Sequence, residues 1–185
     1  MRSIEEVLKE VEKLPYSLIG KELTIEDVIT VWKAVGKFIM CYLLQDKHVI
    51  LPSIGKFSTQ EVKIPIAHNP SRCLCRKRLV FEVSSQLALN FRIKYSHNQI
   101  EGPNPQVTVN RSTLSCICRK PRFKVDLCLR EIVAYVYNRL EANLPVHLPF
   151  TGVGMLVIKG EACRMLFDDK FISRIEEIDV IKEIL

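Results

Sequence analysis

The stretch Leu51-Pro52-Ser53-Ile54-Gly55-Lys56-Phe57 returns, altered, as Leu148-Pro149-Phe150-Thr151-Gly152-Val153-Gly154-Met155-Leu156. Each copy follows a long segment whose apolar residues recur at helical spacing and precedes a run that alternates as a strand does. Each therefore marks a corner where a helix hands over to a sheet. Glycine suits such a corner because, without a Cβ, it takes positive φ or lets another backbone come close. Gly55, Phe57, Gly152 and Gly154 are read as the structural corner residues.

The repetition reaches upstream. Sliding the chain so that Trp32 falls on Leu129 brings Val35 onto Ile132, Phe38 onto Tyr135, Ile39 onto Val136, Leu43 onto Leu140, Val49 onto Val146 and Leu51-Pro52 onto Leu148-Pro149. Beyond the proline the second copy carries two extra residues, after which Gly55 matches Gly154 and Phe57 matches Leu156. Two related domains in tandem account for this pattern better than chance matching of two amphipathic helices.

Two domains share 185 residues. Cores that small are marginal alone, so the domains are expected to lean on each other or on a partner. With 48% hydrophobic and 26% charged residues, the composition is that of an ordinary soluble globular protein. No run approaches the ~20 apolar residues of a membrane span, and Met1-Arg2-Ser3-Ile4-Glu5-Glu6 lacks the apolar core of a signal peptide, so an intracellular protein with no membrane role is expected. Seven cysteines, an odd number without a secretory signal, fit reduced thiols better than a disulfide framework. Cys73/Cys75 and Cys116/Cys118 have one residue between them, short of the usual spacing in a structural zinc site, and no nearby His pair completes them. No metal or other cofactor is expected.

The net charge of +6 hides an asymmetry. Between Lys63 and Lys124 stand twelve Lys and Arg residues against two acids, Glu82 and Glu101, whereas the remainder of the chain is acidic on balance. Cations concentrated in the middle favour an acidic partner there: nucleic acid, anionic lipid or an acidic protein surface. The candidate contacts are Arg72, Arg76, Lys77, Arg78, Arg119, Lys120 and Arg122. A plain alternative is a solvated face, since a run such as Arg76-Lys77-Arg78 also blunts an exposed strand edge.

In chain order, Ser3 to Glu6 has capping-box spacing and opens a helix to about Leu14, ended by Pro15. Thr24-Ile25-Glu26-Asp27 opens a second, through roughly Gln45, with Trp32 as a core anchor. After the corner, Gly55 to Ile64 reads as a strand; Pro65 to Arg72 breaks the pattern and Arg78 to Val83 resumes it, which predicts a long hairpin with an irregular basic tip. Ser84 to Phe91 closes the domain as a turn or short helix. Ser96 to Gln106, with Gly102, Pro103 and Pro105, reads as a linker. The second domain opens with a short helix, Asn110 to Cys118, followed by a main helix from about Lys124 to Ala142. Strands Met155 to Lys159 and Ala162 to Phe167 are divided by Gly160-Glu161, a tight hairpin, and a last helix runs from about Asp169 to Leu185. The division expected is a first domain over 1–95, a linker over 96–109 and a second domain over 110–185. The class is α+β, each domain a helical pair, a small antiparallel hairpin or sheet and a closing helix or turn.

At this point the residues resemble a known family. Val49-Ile50-Leu51-Pro52-Ser53-Ile54-Gly55-Lys56-Phe57 is similar to the valine-x-leucine-x-glycine-aromatic-glycine-threonine-phenylalanine corner of the bacterial histone-like HU and integration-host-factor proteins. The tandem order, with Thr151-Gly152-Val153-Gly154-Met155-Leu156-Val157-Ile158 and then Arg164-Met165-Leu166-Phe167, resembles more particularly the paired HU-like domains of the eukaryotic coiled-coil-domain-containing protein 81 family. Bacterial HU proteins are dimers whose arms lie in the minor groove, with a proline wedge at each tip. Asn69-Pro70 matches that wedge, although Asn-Pro is also an everyday turn dipeptide. The second copy has Lys159-Gly160-Glu161 and no arm, so a paired DNA clamp cannot be built from one chain, and the tandem pair mimics an HU dimer internally.

The resemblance implies a binding module for proteins, associated with centrosomes and the ciliary cytoskeleton. The expectation is a non-enzymatic structural protein, part of a larger assembly, docking on a centrosomal, ciliary or microtubule partner for which the acidic tails of tubulin are one candidate. The alternative is an HU-like architectural nucleic-acid-binding protein, nuclear, using the basic arm Lys63 to Arg78. The dispersed His48, His68, His97 and His147, and the lack of a nucleophile turn, phosphate loop or carboxylate-His cluster, point away from catalysis.

Overall fold

The computed structural model describes the backbone of residues 3–66, 69–94 and 104–184, and their side chains apart from those of 64–66, 69–74 and 177–184. Local signals start the helices where the sequence places them. Ser3 caps α1 (Ile4–Glu12), its hydroxyl accepting from the Glu6 amide, and Val7, Leu8 and Val11 are buried. A full capping box opens α2 (Ile25–Leu43): the Asp27 amide donates to Thr24 Oγ1 at 3.0 Å and the Thr24 amide to Asp27 Oδ2 at 3.3 Å. Then follow β1 (His48–Leu51), β2 (Gly55–Ile66), β3 (Asn69–Val83) and α3 (Ser85–Phe91), whose N-cap is Ser84.

The second half repeats this order. It comprises β4 (Gln106–Thr108), α4 (Arg111–Cys118) capped by Asn110, α5 (Arg122–Glu141), β5 (Val146–Phe150), β6 (Gly154–Lys159), β7 (Ala162–Phe167) and α6 (Asp169–Ile184). The fold is α+β, with two related units in tandem. A mixed sheet has the order β3-β2-β1-β4 and an antiparallel sheet the order β5-β6-β7.

Three differences from the sequence expectations have physical reasons. First, Gln106–Thr108, expected in the linker, form a strand parallel to β1, with Val107 opposite Val49; three residues are too few for alternation to show. Second, the residues just before each corner are strands, β1 and β5, each antiparallel to the strand that follows. Third, the long hairpin does not break at Pro65. Its strands pair as far as Ile66 and Asn69, and the register shifts between Pro65 and Ile66. A proline has no amide to give the ladder and is tolerated at such an irregularity. At the first corner Ser53 takes the positive φ, at 66°, and Gly55 serves the other expected use of glycine. Gly55 is required for close approach, since a Cβ there would lie 2.3 Å from the Glu82 carbonyl oxygen.

The two halves share one core. Buried residues of α1, α2, β1 and β2 form a single cluster with those of α4, α5, β5 and β6. Trp32 sits at its centre, its ring 4.9 Å from that of Phe150, which in turn meets Phe57 edge-on at 5.3 Å. Small domains bury too little alone, and here each completes the other.

Candidate functional site

The long hairpin sets the geometry of the basic residues. Its strands have twelve and fifteen residues, against six and six in the second half, where Gly160-Glu161 makes the tight turn. Successive side chains of β3 alternate between its two faces. Arg76 and Arg78 are exposed and make no ion pair among the described residues. Lys77 points the other way, its side chain 8% exposed, and pairs with Asp46 at 2.8 Å. The backbones of Asn69, Pro70 and Arg72 belong to β3, but their side chains lie outside the described ones, as do all of His68 and His97.

The edge strand of each sheet, β3 and β7, borders a common groove beside α6 that encloses about 740 Å³. The cations it presents are Arg76 and Arg78 of the arm together with Arg164 of β7, against one carboxylate, Glu176. Its apolar surface includes Val62, 38% exposed, and Leu166, 53% exposed. Edge strands in general offer unpaired backbone donors and acceptors, and guanidinium groups pair with carboxylates, so the residue types here are those that can receive an extended acidic segment.

The second expected cluster is divided. Lys120 Nζ lies 2.6 Å from Asp27 Oδ1, and Lys124 Nζ lies 3.0 Å from Oδ2. Asp27 is buried, and these cations hold its carboxyl far below the usual carboxylate range: the Lys120 hydrogen bond acts most strongly, burial opposes it, and Lys124 and Thr24 assist. Arg122 donates to the Ser112 hydroxyl. Arg119, the left-handed C-cap of α4, is exposed. Lys77 and Lys120 thus serve the fold, whereas Arg76, Arg78 and Arg119 face solvent.

Among the remaining groups, His48 is buried, with neither ring nitrogen bonded to a described residue; burial, then the Lys56 charge, pushes its pKa down. Burial raises the Cys128 thiol to about 12 and the Cys163 thiol to about 11. Among the described residues no three His, Cys, Asp or Glu side chains converge as metal ligands, and no helix is long and apolar enough to cross a membrane.

Sequence reasoning overlooked Arg164 and the acids Asp27 and Asp46. Asp46 lies far along the chain from Lys77 and left no local trace. Asp27 and Lys124 were findable, because the offset between the two repeats carries one onto the other.

Two family models match the chain. CCDC81 eukaryotic HU domain 1 matches residues 6–95, and CCDC81 eukaryotic HU domain 2 matches residues 105–179. The second match therefore begins beside β4, the strand that the second repeat lends to the sheet of the first.

Proposed function

Because the chain belongs to the CCDC81 family, with eukaryotic HU domains 1 and 2 in tandem, we propose that it is a non-enzymatic structural module that docks on a centrosomal, ciliary or microtubule assembly through protein contacts. One observation carries this reading: of two related hairpins only one is an arm. A clamp that bends a duplex works with paired arms and paired wedges, and one chain supplies half of that.

The placement of charge supports it. Lys77, Lys120 and Lys124 are engaged by Asp46 and Asp27, so the cationic middle of the sequence offers fewer free charges than its count suggests. What faces outward is a groove with arginines on its walls, exposed apolar side chains and a strand edge on each side. That combination suits an acidic, extended protein segment, such as the tails of tubulin, better than a phosphate backbone, which calls for a run of cations.

The experiment is recruitment in cells. A fluorescent fusion of the full chain gathers at the centrosome or cilium, and Arg76→Glu with Arg78→Glu disperses it while its circular dichroism and melting stay unchanged. A fusion that concentrates on nuclear DNA instead, and leaves it on the same substitutions, supports the architectural nucleic-acid reading of the arm.

A further inference from the structure

The two repeats face each other reciprocally: α2 packs on the second corner, and α5 faces the first. The offset that takes Trp32 to Leu129 also takes Gly36 to Val133, Met40 to Tyr137 and Pro52 to Pro149. The two seams ought to be alike. They are not.

Where α2 meets the second corner, the seam is shut. Trp32 Nε1 donates to the Pro149 carbonyl at 2.7 Å, and the indole packs at a tilt against Phe150. Gly36 lets the Thr151 backbone approach so closely that a Cβ would lie 2.4 Å from its carbonyl oxygen, and the thioether of Met40 lies against Gly152. Where α5 meets the first corner, Leu129 has no N–H to give Pro52, and Val133 has a branched side chain where Gly36 has none. The corner stands off, and a pocket of about 800 Å³ opens between Pro52-Ser53-Ile54 and the face of α5 carrying Leu129, Val133 and Tyr137. That size falls within the range of ligand pockets, and the lining is mainly apolar.

The rim supplies the second half of the recognition. Arg111, Arg122 and Arg130 share the rim with one carboxylate, Asp126, to which Arg111 and Arg130 are both bonded. The Arg111 and Arg130 side chains are 61% and 71% exposed, so their outer faces are available to a further anion.

We propose that this pocket receives an aromatic side chain, tryptophan best, presented by an acidic segment of a partner protein. The closed seam identifies the anchor: there the indole of Trp32 occupies the angle between helix and corner, and the Pro149 carbonyl takes its N–H. At the open seam the helix supplies no indole, and the partner does. The net positive rim selects acidic residues on either side of the anchor, while the buried aromatic carries most of the affinity, as anchors in pockets do. This site is separate from the arm and goes beyond the docking groove proposed above.

The test is fluorescence anisotropy of the full chain with a labelled peptide, one Trp between triplets of Glu. Binding is expected to fall about tenfold or more when the peptide Trp is replaced by Ala, to fall similarly for Leu129→Trp, which fills the pocket from within, and to weaken for Arg130→Glu. Arg76→Glu with Arg78→Glu leaves the ratio of Trp-peptide to Ala-peptide affinity unchanged, which separates this site from the arm. Equal affinity for the Trp and Ala peptides on the unaltered chain, or no binding of either, overturns the proposal whatever the variants do. Loss of that ratio in the arm variant overturns it as well, by placing the tryptophan in the groove.

Discussion

Asp27 and Lys124 occupy equivalent positions of the two repeats, 97 residues apart, and are bonded to each other at 3.0 Å. In a dimer of identical chains, equivalent residues that meet across the interface carry the same charge and repel. A tandem chain escapes that restriction, and here one repeat supplies the acid and the other the base, with Lys120 adding a second cation at 2.6 Å. The contact thus favours this pairing of unlike repeats over the pairing of either with its own copy.

Replacing Asp27 by Asn is expected to cost about 2 kcal/mol at neutral pH, since it removes two charge-assisted bonds from a buried site. The pH dependence has a definite sign. The carboxyl titrates lower in the folded protein than unfolded, so its stabilisation is complete above the ordinary value of about 4 and is lost as the pH falls toward the depressed one. Urea titrations of both proteins between pH 7 and pH 2.5 should converge on the acid side; a constant gap indicates that Asp27 acts by packing alone.

Gly36→Ala tests the closed seam by the sign of its effect. Helix propensity alone makes the change favourable by about 1 kcal/mol. The 2.4 Å approach of the Thr151 carbonyl to a Cβ at this position predicts the reverse, a loss of about 1–3 kcal/mol by overpacking. Trp32→Phe keeps an aromatic ring but removes the bond to Pro149 and part of the buried indole, for a loss of about 1–3 kcal/mol. Denaturant midpoints decide both.

The arm separates cations that hold the fold from cations left for a partner. Lys77→Gln removes the pairing with Asp46 and should destabilise the protein by about 1 kcal/mol. Arg76→Gln and Arg78→Gln should change stability by less than about 0.5 kcal/mol and weaken binding of an acidic peptide. The opposite pattern contradicts the assignment of the groove.

Much of the fold was legible because its signals are local. Ser3, Thr24 and Asn110 announce helix starts, apolar periodicity carries α2 and α5, and Gly160 announces the tight hairpin. The doubled corner disclosed the tandem order. What was not legible depends on residues distant in sequence. Three residues of β4 become a strand only beside β1, and Pro65 reads as a break unless the partner strand is known. Lys77 and Lys120 look like binding residues until Asp46 and Asp27 are seen beneath them, and Arg164 joins the groove only because β7 comes to lie beside β3. The open pocket was implicit in Leu129 and Val133 standing where Trp32 and Gly36 should be, but that mismatch has meaning only once the repeats are seen to face each other.

The central claim is that this tandem module engages acidic protein and does not clamp a duplex. The measurement that tests it most directly is anisotropy of a labelled short DNA duplex and of a labelled glutamate-rich peptide without aromatic residues, each with the full chain, from low to physiological salt. The account predicts that duplex binding falls to the non-specific range, weaker than ~10⁻⁶ M, at physiological salt, while the peptide remains bound and is released by Arg76→Glu with Arg78→Glu. A duplex still held more tightly than ~10⁻⁷ M under those conditions, in the range of specific complexes, contradicts it.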